Sequence, residues 1–247
     1  MNPLESIAAA RRQAATWAIG HLQVALLLPA LLAALALSAI ASGSGVLAWD
    51  VTITRFVQRA PDTVFGDIAR AVNLLGDAPI MLALSAGLVL TLLKLGRTEP
   101  ALFLLAAVVA SVANPVLKAI CDSPRPTADL VRIAEEAAGL GFPSGHVMKV
   151  VLTYGAILVL SRDLLPRRGP RLLVQAWAVG IIVATGFSRI YVGAHWPSDV
   201  VGGYLWGGVL LGALGTGYRS GVFARARAAM GTLVGDRRVL SRDGAAD

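Results

Sequence analysis

Long apolar stretches, each bounded by charged or turn-forming residues, dominate the pattern of this chain. A helix rises about 1.5 Å per residue, so about 20 mostly apolar residues cross a hydrocarbon core about 30 Å thick. Six stretches approach that length: residues 21–41, 78–95, 100–117, 147–165, 172–187 and 200–217. In the last, Gly203 and Gly207 have the four-residue spacing typical of close helix packing. The pattern predicts an all-α polytopic membrane protein whose six transmembrane helices form one bundle.

Residues 43–77 are too polar to cross a membrane, although their apolar positions recur at roughly helical spacing. Pro61 interrupts this segment. We therefore expect helical structure along the membrane interface after the first span, broken in two at the proline. No internal repeat or linker divides the chain, which predicts a single domain over residues 1–247, with a basic cytoplasmic tail from about residue 219.

The composition agrees with a bilayer environment. Hydrophobic residues make up 56% of the chain and charged residues 15%, whereas a soluble domain carries about 25% charge. The net charge of +7 could suggest nucleic acid, but the basic residues stand singly at the ends of apolar runs and do not cluster with aromatic residues. We expect no nucleic-acid partner and infer no obligate protein partner.

The distribution of positive charge predicts the orientation. A cytoplasmic N-terminus places most of the 22 lysines and arginines on the inside. Both termini are then cytoplasmic, and the outside segments follow the first, third and fifth spans. Arg11 and Arg12, with "SAIASG" after the first stretch, resemble a cleaved signal peptide. The apolar run is about twice the usual length of a signal core, which favours an uncleaved first helix.

Two outside segments, residues 118–146 and 188–199, hold most of the unusual polar side chains. Lys118, Arg125 and Arg189 are three cations suited to a dianionic phosphate, of which each arginine can bind two oxygens. Ser144 and Gly145 precede a predicted helix, whose first N–H groups are unpaired and favour anions. The residue types therefore indicate an anion site at the outer membrane face.

Two histidines in the same segments are candidates for catalysis. His195 and Asp199 are four residues apart, and a carboxylate on one ring nitrogen would leave the other free as a nucleophile or base. His146, from the other segment, could act as a second proton-transfer group. The alternative, an interfacial histidine without catalytic function, fits His21, which has no polar partners nearby in the sequence. No metal-ligand spacing such as H-E-x-x-H occurs, so we expect neither a metal nor another cofactor.

These clusters together resemble the three motifs of the type-2 phosphatidic acid phosphatases, K-x-x-x-x-x-x-R-P, P-S-G-H and S-R-x-x-x-x-x-H-x-x-x-D. That family shares its site design with the vanadium haloperoxidases. In this chain the motifs stand, complete and in the same order, as "KAICDSPRP" from Lys118, "PSGH" from Pro143 and "SRIYVGAHWPSD" from Ser188. Each motif alone is short and unspecific. The ordered set covers about residues 118–199, and the six-helix layout extends the similarity to most of the chain.

The resemblance implies a metal-independent lipid phosphatase. His195 would attack the phosphorus and form a phosphohistidine, Asp199 would orient it, and His146 would protonate the departing oxygen. The phosphate oxygens would be held by Lys118, Arg125, Ser144, Gly145 and Arg189. We expect the site at the periplasmic or extracellular face of a bacterial inner membrane. The substrate stays open between phosphatidic acid, phosphatidylglycerol phosphate, a polyprenyl diphosphate and lipid A phosphates.

Lys149 departs from the small or apolar residue expected three positions after His146. It lies on the same helix face about one turn deeper, where it could contact a second phosphate or a glycerol or sugar headgroup. Pairing with an acidic residue, or extension of the side chain to the interface, explains it at least as well.

Two alternatives concern the whole protein. A haloperoxidase would use similar residues, but the membrane spans argue against it. A non-catalytic lipid-binding or transport protein on the same fold predicts loss of His195 or Asp199, and the sequence retains both.

Overall fold

The computed structural model describes residues 25–228 of the 247-residue chain. In that range the chain consists of helices joined by turns and loops, without β-strands, which confirms the all-α prediction. The helices are α1 Ala25–Ser44, α2 Ala48–Val57, α3 Asp62–Gly76, α4 Ala78–Lys94, α5 Thr98–Ala110, α6 Ala113–Cys121, α7 Gly145–Leu164, α8 Arg168–Tyr191 and α9 Pro197–Arg219. A short helical stretch follows at 222–228.

Four segments of the described range are long and apolar enough to cross a membrane: Ala25–Ser44, Thr98–Cys121, Arg168–Tyr191 and Pro197–Arg219. α3 and α4 qualify only as a pair, with a bend of 53° between them. The prediction of six spans, and of an interfacial segment before the second, therefore stays a prediction. Parts of it lie outside the described residues, namely Arg11, Arg12, residues 21–24 and the tail beyond residue 228.

α7 is the centre of the bundle, where it packs against α5, α8 and α9. Its first three turns are buried on nearly every side, as expected of a helix that is apolar all round. Gly203 and Gly207 of α9 allow the close approach, because a Cβ atom at either position would lie 2.9 Å from Val147 or Val151. The close packing indicated by the glycine spacing is thus present in the structure.

Two loops meet at one end of the bundle. The loop 122–144 joins α6 to α7, and the turn 192–196 joins α8 to α9. Backbone hydrogen bonds link them, from Ala134 N to Val192 O at 2.8 Å and from Ser144 N to Asp199 O at 2.9 Å. Gly193 has a φ of +74°, and a Cβ there would lie 2.2 Å from a backbone oxygen of the other loop, so only glycine fits.

The predicted boundaries were wrong for two cations. Lys118 and Arg189 do not lie in loops; they lie in the last turns of α6 and α8. Hydropathy ends at the first charged residue, whereas the helical hydrogen bonds continue past it. Both side chains are therefore attached to rigid helices.

Candidate active site

His195 and Asp199 form a buried pair at the start of α9. Pro197 occupies the first turn of the helix, where its fixed φ is favourable. Asp199 Oδ2 accepts a hydrogen bond from the backbone N–H of Trp196 at 3.0 Å and lies 3.1 Å from His195 Nδ1. Burial raises the pKa of Asp199 to about 7, against the opposing effects of the Trp196 N–H and the charge of Lys118. The ionised carboxylate only accepts, so with Asp199 ionised the proton of the neutral ring belongs on Nδ1. His195 Nε2 then carries the lone pair of the ring.

Cations lie around His195 Nε2. Arg125 Nη1 lies 3.3 Å from His195 Nε2 and donates to the carbonyl of Ala194 at 2.7 Å. Lys118 Nζ donates to the carbonyls of Leu140 and Gly141. Burial, followed by the charges of Arg125 and Lys118, lowers the pKa of His195 well below its ordinary value of 6.5. His195 is therefore neutral at neutral pH, as a nucleophile must be.

The N-terminus of α7 supplies neutral donors beside the cations. Ser144 is fully buried, and its Oγ has no hydrogen-bond partner among the described residues. Gly145 begins the helix, and a Cβ there would lie 2.8 Å from Asn114 Oδ1. Asn114 in turn donates to the carbonyl of Pro143 at 3.1 Å. The chain thus presents an unused hydroxyl and the first N–H groups of a helix at one point, which suits an anion.

His146 also has a carboxylate partner, and the sequence analysis did not identify it. Its Nε2 lies 3.0 Å from Asp77 Oδ1, at the junction between α3 and α4. The charge of His146 contributes to the lowered pKa of His195, after burial and the charges of Arg125, Lys118 and Arg189. The pattern Asp-Ala-Pro is a helix-start signal, but nothing in it points to a histidine 69 positions away.

Arg189 is paired with Glu135, a carboxylate of the loop 122–144 that the sequence analysis did not identify as its partner. Its Nη1 donates to Glu135 Oε1 at 2.7 Å, and Asn73 Nδ2 donates to Glu135 Oε2 at 2.7 Å. Ser188 Oγ donates to Asn73 and completes the chain of contacts. The Arg189 Nε–H is buried without a partner among the described residues. Glu135 therefore fixes the guanidinium and leaves its Nε–H unused.

A second unpredicted residue, Asp50, holds the helix that carries the buried pair. Asp50 Oδ1 accepts from Ser198 N at 2.8 Å, and Asp50 Oδ2 accepts from Ser198 Oγ at 2.7 Å. Burial raises the pKa of Asp50, which is only 1% exposed. Because Ser198 directly precedes Asp199, this contact fixes α2 against the first turn of α9. No local pattern in α2 indicates it.

A cleft of about 600 Å³ lies beside the pair, and Arg125, Glu135, Glu136 and Ala194 are among its lining residues. The structure therefore brings the predicted phosphate-binding and catalytic residues to one end of the bundle. Lys149 forms no hydrogen bond or ion pair with any of them, although it lies one turn along α7 from His146. The arrangement offers a neutral nucleophile, a group of cations and a second histidine for proton transfer, which suits nucleophilic attack on a phosphate.

Comparison with known proteins relates this arrangement to a family. Residues 99–219 match the family model of the PAP2 superfamily. The chain is 30% identical to an undecaprenyl-diphosphatase of Sulfolobus acidocaldarius over 118 residues, which are 46% of this chain and 50% of that protein. It is 33% identical to phosphatidylglycerophosphatase B of Bacillus subtilis over 94 residues, 37% of this chain and 44% of that one. The chain thus spans about half the length of these curated relatives.

Solved structures show the same architecture. A transmembrane PAP2 type phosphatidylglycerolphosphate phosphatase from Bacillus subtilis superposes with a TM-score of 0.67 at 25% identity, over 78% of this chain and 94% of that one. LpxE of Aquifex aeolicus superposes with a TM-score of 0.51 at 22% identity, over 68% of this chain and 95% of that one. The second likeness shows the fold alone.

Proposed function

Since the chain belongs to the PAP2 superfamily, we propose that it is an integral membrane phosphatase that removes a phosphate from a lipid through a phosphohistidine. The observation that carries the proposal is the geometry of the buried His195. Its Nδ1 is hydrogen-bonded to Asp199, and its Nε2 lies beside Arg125. This arrangement directs the unprotonated ring nitrogen towards the cations that would bind a phosphate. The names of the relatives support a lipid phosphate as the substrate.

The first half of the reaction transfers the phosphoryl group to the protein. The lone pair on His195 Nε2 forms a bond to phosphorus, and the bond from phosphorus to the lipid oxygen breaks. Protonated His146 gives its proton to that oxygen, which leaves as the alcohol or as a lipid phosphate. Burial and the charge of Arg189 lower the pKa of His146, and Asp77, 3.0 Å from its Nε2, opposes that shift. The dianionic phosphate of the substrate adds negative charge that favours the protonated ring before the transfer.

The second half releases phosphate. His146, now neutral, accepts a proton from water as the water oxygen bonds to phosphorus, and the phosphorus–nitrogen bond breaks. His195 is regenerated neutral, still hydrogen-bonded to Asp199. No step requires a metal, because the cations of the site supply the positive charge.

Charge on the phosphate oxygens is stabilised by donors that the fold already holds in place. Arg125 lies beside the nucleophile, Ser144 offers its unpartnered hydroxyl, and Arg189 offers its unpartnered Nε–H. Lys118 and the first N–H groups of α7 complete the set. We place the site at the periplasmic or extracellular face of the inner membrane, with both termini in the cytoplasm, on the distribution of positive charge.

The test is phosphate release by the detergent-solubilised full-length protein in excess chelator. The substrates are phosphatidic acid, phosphatidylglycerol phosphate, a polyprenyl diphosphate and a lipid A phosphate. His195→Ala should abolish release, whereas His21→Ala, a histidine remote from the motifs in sequence, should retain it. Folded wild-type protein that releases no phosphate from any of these lipids would refute the proposal and favour a non-catalytic lipid-binding or transport protein.

A further inference from the structure

Lys149 is a half-buried cation that the reaction described above does not use. It lies in α7 three residues after His146, on the same face and about one turn deeper. Among residues 25–228 no side chain or backbone group forms a hydrogen bond or ion pair with it. Asp77, whose charge reaches Lys149, is hydrogen-bonded to His146 instead. Pairing with an acidic residue therefore does not explain Lys149.

The Lys149 side chain lines a cavity of about 220 Å³ between α4, α5 and α7. Ser85 of α4 lines the same cavity, and its buried hydroxyl has no hydrogen-bond partner among the described residues. A buried polar group without a partner costs free energy. Two such groups on one cavity indicate a polar ligand that satisfies both.

The position of this cavity relates it to the reaction. Ala78, next to Asp77, forms part of its wall, so the cavity begins one residue from the partner of His146. On the other side it meets an apolar groove between α4 and α5, of about 270 Å³, since Leu82, Ser85 and Val108 line both. The reaction centre, the cavity that contains Lys149 and Ser85, and the aliphatic groove thus follow one another along α4. A lipid with a second polar group between its terminal phosphate and its chain has the same order.

We propose, on the basis of the proposed function, that Lys149 and Ser85 bind a phosphate that the substrate retains, and that the protein prefers lipids carrying two phosphates. The distal phosphorus bonds to His195, the bond from that phosphorus to its leaving oxygen breaks, and the inner phosphate stays with the lipid. Lys149 pairs with the charge of the inner phosphate. Phosphatidic acid, which retains only neutral ester groups near its phosphate, would leave the ammonium unpaired in a partly desolvated place.

The experiment compares a polyprenyl diphosphate with the monophosphate of the same polyprenol, because the pair differs only in the retained phosphate. Phosphatidylglycerol phosphate and phosphatidic acid form a second pair, in which the retained group is a phosphodiester. Comparing the two pairs therefore distinguishes a retained phosphodiester from the retained monoester of the polyprenyl lipid. The measured quantity is the ratio of the kcat/KM values within each pair. Wild type should favour the two-phosphate lipid of at least one pair, and Lys149→Met should lower that ratio about 10- to 100-fold, the range of a hydrogen bond to a charged group.

Matched variants separate charge from structure. Lys149→Arg should restore most of the ratio, and Ser85→Ala should lower it by a smaller factor. Lys94→Met, at the exposed end of α4, should leave it unchanged. The inference is overturned if wild type shows no preference in either pair, or if folded Lys149→Met protein leaves the ratio unaltered or loses both activities equally. If wild type releases no phosphate from any lipid, the proposed function fails as well, and that result is recognised before any variant is made.

Discussion

Replacing Asp199 by asparagine isolates the charge of the carboxylate from its geometry. Trp196 N and His195 Nδ1 both meet one oxygen, Asp199 Oδ2, whereas Oδ1 is buried without a partner among the described residues. The carbonyl oxygen of an asparagine can occupy the position of Oδ2 and accept both hydrogen bonds. Burial raises the pKa of Asp199 to about 7, so the comparison is made above that pH, where the wild-type carboxylate is ionised. The substitution then preserves the histidine tautomer and removes the negative charge.

The loss of activity expected for Asp199→Asn follows from the distance between the two charges and from the burial of Asp199. When His195 Nε2 bonds to phosphorus the ring becomes cationic, and its charge lies about 4 Å from a carboxylate whose nearest oxygen is 3.1 Å from Nδ1. At the effective dielectric constant of about 20 that suits protein sites, the attraction is about 4 kcal/mol. In bulk water it would be about 1 kcal/mol. Because Asp199 is fully buried, we expect Asp199→Asn to lower kcat about 10³-fold.

The assay is steady-state phosphate release by the full-length protein in detergent, with the best lipid substrate. Asp163→Asn, an exposed aspartate at the far end of α7, is the control and should retain wild-type kcat. Asp199→Ala should lower kcat more than Asp199→Asn does. It should also lower the denaturation midpoint, since the Trp196 N–H loses its acceptor. A loss of less than tenfold for Asp199→Asn would refute the reasoning, because the carboxylate charge would then not stabilise the transition state.

Three further predictions concern the residues around this pair. Asp77→Asn should slow phosphate release from a lipid monophosphate more than from p-nitrophenyl phosphate, because the nitrophenolate leaves without a proton from His146. An equal decrease in both rates would contradict the role of His146. Asp50→Ala should lower the free energy of unfolding by about 2–6 kcal/mol, because two buried donors of Ser198 lose their acceptor. Its denaturation midpoint should therefore lie below that of Asp50→Asn; equal midpoints would contradict this role of Asp50. Between pH 7 and pH 5 the unfolded chain binds a proton at the position of His195 that the folded chain excludes, whereas folded Asp199, whose pKa burial raises to about 7, binds one that the unfolded chain does not. These two contributions to the free energy of unfolding have opposite signs. His195→Asn removes the first, so its free energy of unfolding should rise relative to that of wild type as the pH falls from 7 to 5, by up to about 1.4 kcal/mol per pH unit; parallel curves would contradict the neutral ring.

The helices and the motif residues could be predicted because both are local features of the sequence. Apolar runs fix the helices, and the spacing from His195 to Asp199 is one helical turn. The partners of the motifs could not be predicted in this way. Asp50 is 148 positions from Ser198, and Asp77 is 69 positions from His146. Such contacts depend on how the helices pack, and a single sequence carries no local signal of that packing.

The unpredicted carboxylates have a common physical reason. A site that holds a dianion with several cations must keep those cations solvated or paired when it is empty, because an uncompensated charge in a partly buried place is costly. Arg189 is paired with Glu135, and Lys118 and Arg125 donate to backbone carbonyls. Lys149 has neither kind of partner among the described residues. The charge of Asp77 reaches Lys149, but the Asp77 carboxylate is hydrogen-bonded to His146. On the proposal above, the phosphate that the substrate retains supplies the direct counter-charge that Lys149 lacks in the empty site.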